Sequence, residues 1–382
     1  LVWHYGDDFQ RYKTAQTGLI FEICRNEQVL LASDERVHCR QSRAYKSGLC
    51  KRITNQMGFS FLYNASKEDN WREKGFDSIN PSVTVNKTCT FYPRPTKKLQ
   101  LCARKPVKIL KNEKNYYLVD LGEETVGLPT MEFVSPAEQK ITVCWGEDIQ
   151  EGHVRRIIGD RDFSYEYIAK TGNNCYTNYM LRLGCRYLEL YSEQEIQLRY
   201  LGLIPQVYPV NVLPFSLECG VKTLQCSMME HYVDTPWREQ CLYAFDSRNQ
   251  MLCGYYAFEN GNAQYARAGL QLLSEDIRQD GLLPICAPCG VNLAIPSFSL
   301  HYVIAIGEYL AHTGDAAFVQ EVFPRLLSIL KAFIHNRHNG LVCRFSESDQ
   351  WNFYDWSSYL EGNLFGTEKK EPDLIVNCLF IM

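Results

Sequence analysis

The sequence predicts a multidomain β + α chain, with β-sandwich domains over residues 1–104 and 105–212 and an all-α unit over 213–382. Three observations lead there. Short alternating runs of apolar and polar residues, rich in aromatic and β-branched side chains, fill the first two segments, and Asn, Asp, Gly, Ser and Pro clusters separate them. Near residue 215 the apolar period lengthens to that of a helix. Charge divides too: residues 1–110 carry a net +9 and residues 111–382 a net −13, within a total of −4. A chain of 382 residues exceeds one ordinary domain and suits two or three.

The runs 19–23, 59–63 and 83–85 read as strands of the first sandwich. Pro93 and Pro95 interrupt any ladder there and mark its exit. Strands of the second sandwich are expected at 116–121, closed by Gly122, and at 139–145, closed by Gly146. Others follow at 163–168, 187–191 and 196–200, before Pro205, Pro209 and Pro214. In the third segment Leu217, Val221, Leu224, Met228 and Tyr232 form one helical stripe over 216–233. Further helices are expected at 240–258, 262–277, 296–311, 315–334 and 372–382, with Gly340 stopping the one before last. Antiparallel helices of this kind make a bundle or a toroid. No βαβ unit, G-x-G-x-x-G or Walker loop is present, which argues against a nucleotide fold.

Composition narrows the function. An apolar fraction of 46% and a charged fraction of 22% exclude a disordered or coiled-coil chain. No apolar run is long enough for a transmembrane helix, so no membrane partner is expected. The basic residues of the first third are dispersed, which points to a solvated surface and away from nucleic acid. The 16 cysteines are mostly single and often sit in apolar runs, as Cys144 does, which is how reduced, buried thiols behave. With Asp7 and Asp8 near the start and no charged-then-apolar leader, a cytoplasmic location is expected. The one C-x-x-C, Cys286 and Cys289, lacks a second pair or a finger-spaced His pair, so zinc is not expected. Asn64 and Asn86 head N-x-[ST] triplets, which matter only in a secreted protein.

One stretch carries chemistry, residues 234–248. Pro236 suits the first turn of a helix with Asp234 or Thr235 as its cap. A helix starting there places Glu239, Tyr243 and Asp246 on one face. Two carboxylates beside aromatic rings each disfavour ionisation of the other, and the rings remove water. Both effects raise a carboxyl pKa and suit it to acid catalysis. Arg238 and Arg248 are placed to hold an acid or a substrate hydroxyl. Flat rings with carboxylates also suit sugars. A second cluster, 349–357, is dense in Trp and Asp and reads as a pocket-lining loop. The plainer readings remain a capped helix with an acidic solvated face, and core roles for Trp237, Tyr243 and Phe245.

Segment 234–246 resembles the catalytic motif of the inverting α-L-rhamnosidases of glycoside hydrolase family 78. That motif is an Asp, a following Pro, an Arg-Glu pair and a later Asp, here Asp234, Pro236, Arg238 with Glu239, and Asp246. Tyr243 stands where many members carry Trp. Asp280, Gly281 and Pro284 resemble the family's Asp-Gly-x-x-Pro loop, Phe298 stands at a sugar-stacking Trp position, and Asp355 with Trp356 resembles its Asp-Trp pocket element. Upstream, Asp120, Leu121, Gly122, Gly127, Gly146 and Glu147 resemble the sandwich that precedes the toroid. The likeness spans roughly residues 115–382 and is weak over 1–104.

The resemblance implies two β-sandwich domains followed by the first half of an (α/α)6 toroid, C-terminally truncated. It implies Glu239 as general acid, Asp234 and Asp246 as ligands of rhamnose hydroxyls, and Arg238, Tyr243, Phe298, Asp355 and Trp356 as further substrate contacts. The expected substrate is a rhamnose-containing glycoside or oligosaccharide, cleaved with inversion. The family's general base is a Glu on a late toroid hairpin, which falls beyond Met382, so these 382 residues alone are expected to be inactive. No cofactor is expected; calcium is possible, but no D-x-D-x-D-G loop indicates it. The alternatives are a six-hairpin hydrolase of another sugar and a non-catalytic carbohydrate-binding protein.

Overall fold

A computed structural model describes residues 19–34, 37–39, 42–46, 51–60, 62–69, 80–81, 92–214, 217–364 and 366–382. The strand expected at 83–85 and Asn86 lie outside the described residues. Alternating side chains build one ten-stranded hydrogen-bonded sheet. Its path runs through Tyr45–Lys46, Leu62–Asn64, Ser164–Ala169, Gln139–Gly146, Leu183–Ser192, Tyr116–Ser135, Gln197–Val207 and Gln100–Leu101. Lys108–Glu113 and Gly172–Thr177 pair with the two halves of Tyr116–Ser135.

That long strand serves two ladders. Its first half pairs Tyr116 with Tyr191 through Asp120 with Tyr187, and its second half pairs Gly127 with Pro205 through Val134 with Gln197. Between them the register breaks, from Asp120 to Thr125. Gly122 sits in the break at φ +82°, where a side chain would be strained, and its N–H donates to Asp120 Oδ1 at 2.7 Å. Such irregularities let a strand bend from one ladder to the next. The expected strand end at Gly122 is therefore a corner within a longer strand.

The period of two then decides the core. Tyr117, Val119 and Leu121, with Ile141, Val143, Trp145, Tyr165, Tyr167, Leu188 and Leu190, point inward and are buried. Tyr116 and Leu118 face the other way, against Val154.

The first sandwich is not independent among the described residues. Leu62–Asn64 pairs in parallel with Ser164–Ala169, and Tyr45–Lys46 pairs with Leu62–Asn64. Ala44, Ile53, Met57, Tyr63 and Ala65 share the core of the sheet that follows. The boundary expected at 104/105 is thus not where packing divides. Among the described residues, the apolar side chains of these short strands enter the core of the sheet, whose open edge offers both backbone partners and burial. Pro93 and Pro95 do lie outside any ladder.

Six helices follow among the described residues: α1 (Glu218–Cys226), α2 (Ala244–Ala257), α3 (Ala263–Ser274), α4 (Pro296–Thr313), α5 (Ala316–His335) and α6 (Leu374–Ile381). Asp315 and Asp373 cap α5 and α6, accepting from Phe318 N and Val376 N at 3.1 and 3.0 Å. Helix α4 packs against α2, α3, α5 and α6, and its buried residues surround it, as suits a central helix. Of the expected stripe, Val221, Leu224, Met228 and Tyr232 are buried but Leu217 is exposed, and α1 ends at Cys226; Met228 and Tyr232 reach the core from a turn bridged between them. Gly340 does not stop α5. With Asn339 it forms the two-residue turn, φ +50° and +84°, of a hairpin joining Arg337–His338 to Leu341–Val342.

Candidate active site

The helix expected to start at Pro236 starts at Ala244 instead. Residues 234–243 form a closed loop held against the sheet. Asp234 N donates to Cys241 O at 2.9 Å, and Cys241 N donates back to Asp234 Oδ1 at 2.8 Å. Gln240, buried at φ +56°, donates from Nε2 to Arg182 O at 3.0 Å and Pro236 O at 2.7 Å. Trp237 is 1% exposed, and its ring lies 5.0 Å from that of Phe163 inside the sheet's core. The sheet is carved for this loop: a Cβ on Gly184 would stand 2.5 Å from Pro236 Cβ. Burying the Trp ring outweighs the small preference of a few residues for a first helical turn.

The loop gathers three carboxyls. Glu239 is bonded on both oxygens: Arg161 Nη2 donates to Oε1 at 2.9 Å and the Tyr243 hydroxyl donates to Oε2 at 2.7 Å. Glu239 and Tyr243 therefore do meet, but across an extended loop, not along a helix. Arg161 comes from the sheet domain, on the small hairpin Ile157–Ile158 and Arg161–Asp162. Lys51 ion-pairs with the adjacent Asp162.

Burial pushes Asp234 up to about 8, helped by the charges of Glu239 and Asp246 and opposed by the Cys241 N–H. Asp246, in the first turn of α2, is pushed up to about 6 by burial. Tyr243 is held well above its ordinary value, first by burial and then by the acids and thiols around it. Asp234 thus keeps its proton where an unfolded chain would release it. Between its ordinary value of 3.8 and about 8 the native state binds more protons, so its contribution to stability falls as pH rises through that window. Asp234→Asn is expected to leave the melting temperature unchanged near pH 4 and to raise it by a few degrees near pH 8. An equal shift at both pH values would refute this.

Phe298, buried in the first turn of α4, meets Tyr243 edge-on at 6.1 Å and stacks on Phe245 at 6.4 Å. Behind them Arg248 grips Glu308 with two bonds, 2.8 and 2.6 Å, and contacts His301 Nδ1 at 3.1 Å. Burial, and then the Arg248 charge, lowers His301 to about 4.

Three of the expected substrate contacts, Arg238, Asp355 and Trp356, are exposed. Arg238 is exposed and its charge lies near Glu147 of the sheet domain. The arginine on Glu239 is Arg161, because Trp237 anchors inward and turns its neighbour out. Asp355 and Trp356 lie on an exposed loop, with Trp356 77% exposed against Phe353 and Trp351 at 4.9 and 5.8 Å. This loop is tied to α4 beside Phe298, where Ser297 Oγ donates to Phe353 O at 3.0 Å.

Asp280 acts as a hub: it accepts from Arg278, from Leu282 N at 3.1 Å and from Gln350 Nε2 at 3.0 Å. Burial pulls its carboxyl up, but these bonds prevail and hold it low. Arg278 also bonds Asp349 at 2.8 Å, joining the loop after α3 to the loop of Trp351. Among the described residues no three His, Cys, Asp or Glu side chains converge as a metal-binding group.

Residues 217–382 match the bacterial alpha-L-rhamnosidase 6 hairpin glycosidase domain, and residues 110–200 match the bacterial alpha-L-rhamnosidase concanavalin-like domain. No curated protein matches in sequence. Among solved structures, the family 78 rhamnosidase of Bacillus sp. GL1 is 24% identical with a TM-score of 0.61, over 72% of this chain and 29% of its own. The α-L-rhamnosidase of Dictyoglomus thermophilum is 16% identical with a TM-score of 0.63, over 87% and 38%. That of Streptomyces avermitilis, solved with L-rhamnose, is 16% identical with a TM-score of 0.60, over 75% and 30%. The chain thus spans less than half the length of each of these three. In order along the chain, the matches are to the concanavalin-like and six-hairpin glycosidase domains of the bacterial α-L-rhamnosidases, which are glycoside hydrolase domains.

Proposed function

We propose that the full-length protein hydrolyses terminal α-L-rhamnosides by inversion, with Glu239 as the general acid. The observation that carries this reading is the arrangement around Glu239. One carboxyl is held on both oxygens, between two further acids of raised proton affinity, beside an aromatic wall of Tyr243 and Phe298. The six helices are read as the first half of an (α/α)6 toroid, with the acidic loop at one end.

A glycosidic oxygen leaves readily only if it is protonated as the bond breaks, and in this reading the Glu239 carboxyl supplies that proton. As the proton departs, negative charge grows on Glu239, and Arg161 with the Tyr243 hydroxyl stabilises it. Asp234, protonated at neutral pH, can donate to a sugar hydroxyl, while Asp246, largely ionised there, can accept from one. Phe298 and Tyr243 offer apolar faces to the methyl and ring C–H groups of a deoxy sugar. Inversion requires a second carboxylate roughly 6.5–9.5 Å from the first, with water between them; that role is assigned to none of the described carboxylates.

The test is hydrolysis of an aryl α-L-rhamnoside by the full-length protein, followed by NMR. β-L-rhamnose as the first product supports the reading; α-L-rhamnose first, or no turnover of any α-L-rhamnoside, overturns it. Arg161→Gln is expected to lower kcat about 10–100-fold with KM changed less than about threefold, because it acts through Glu239 and not on the sugar. Arg161→Lys should recover part of the loss. A fall in kcat/KM carried wholly by KM would show that Arg161 binds substrate instead.

A further inference from the structure

Cys241, Cys286 and Cys289 form a buried contact cluster, 0, 5 and 7% exposed, packed against Tyr243, Ile285 and Val291. The cluster lies directly behind the acidic loop. Two segments run side by side there, pinned by a backbone bond from Ala287 N to Leu242 O at 3.2 Å, so that Cys241 and Cys286 immediately precede the two bonded residues. The thiols' contacts with backbone are weak: Cys241 Sγ to Glu239 O at 3.7 Å, Cys286 Sγ to Pro288 O at 4.0 Å and Cys289 Sγ to Val291 O at 3.5 Å. The Cys241 and Cys289 thiols both hold the Cys286 thiol well above its ordinary value. All three are free.

We propose that Cys241 and Cys286 are a modification site that closes to a disulfide when the folded protein meets a peroxide, tying the acidic loop to the 285–291 loop. The proposal stands independently of the proposed hydrolysis. In the first step a thiol sulfur attacks one peroxide oxygen and the O–O bond breaks. The sulfur gains a hydroxyl as a sulfenic acid, and the other oxygen leaves with the thiol proton as water. In the second step the neighbouring thiol attacks the sulfenic sulfur, the S–S bond forms and the S–O bond breaks, and a second water departs. Two thiols and one hydrogen peroxide give one disulfide and two waters, with two electrons passing from sulfur to oxygen. The neighbouring thiols, and then burial, keep the Cys286 thiol protonated, so its oxidation is slow at neutral pH and faster in alkali. Cys241 N–H holds Asp234 Oδ1, so the bond fixes the partner of an active-site acid in its present place.

The test starts with the folded protein, its exposed thiols blocked with iodoacetamide. Hydrogen peroxide is added, and tryptic peptides are mapped by mass spectrometry without reduction. Cleavage after Arg238 and Arg248, and after Arg278 and Arg325, separates Cys241 from Cys286 and Cys289. The expected product is peptide 239–248 linked to peptide 279–325, absent in Cys286→Ala and in Cys241→Ala but retained in Cys289→Ala. The oxidised protein should melt roughly 5 °C higher, and reduction should reverse this. A bond within peptide 279–325, or thiols that stay free while the protein remains folded, would overturn the assignment.

Discussion

Glu239→Gln is expected to cut kcat on an aryl α-L-rhamnoside by about 10³-fold or more while L-rhamnose affinity changes less than about threefold. The substitution preserves the contacts and removes only the proton chemistry. A Gln amide can turn its oxygen toward Arg161 Nη2 and its nitrogen toward the Tyr243 oxygen, so both bonds of Glu239 keep a partner. Asp234, Asp246 and Phe298 are untouched. Calorimetric binding of rhamnose beside single-turnover kinetics separates the effects. A Gln variant that turns over at the parent rate removes Glu239 from the mechanism. One that loses binding along with rate makes it a substrate ligand first.

The second large effect is on stability. Trp237→Ala should destabilise the protein by about 3–5 kcal/mol, read as a lower urea midpoint at unchanged slope. Trp237 is 1% exposed, lies 5.0 Å from Phe163 and has the Arg155 guanidinium 5.6 Å over its ring. Its removal leaves a cavity in the sheet's core and frees the loop that carries Asp234 and Glu239, so activity should fall further than the folded fraction does. Trp237→Phe keeps a ring in the socket and should lose about half as much stability. A Trp237→Ala variant within about 1 kcal/mol of the parent would mean that the loop is held without its anchor.

These two residues show how sequence and structure divided the work. Both lie in one short motif, and the spacing of Asp234, Glu239 and Asp246 pointed to an acid site without any coordinates. Its conformation was not legible in the same residues. Pro236 behind Asp234 and Thr235 has the form of a helix start, and the spacing of Glu239 and Tyr243 fits one helix face. That local preference is worth little beside burial of an indole and the bond of Gln240 Nε2 to Arg182 O of the sheet domain. Nor could a motif search find Arg161. It lies 78 residues before Glu239, in a two-strand hairpin with no pattern of its own.

The β and α character of the chain and most helix positions were determined by the sequence alone. Each rests on a local period or a short spacing, which survives whatever the rest of the chain does. Only the tertiary structure decided that Tyr45–Lys46 and Leu62–Asn64 join the sheet of the next domain, that Arg238 turns out while Arg161 turns in, and that three cysteines meet behind the acid. The reason is common to all three. Contacts between distant segments are settled by which surfaces must leave water together, and that depends on the whole packed chain, not on any window of it.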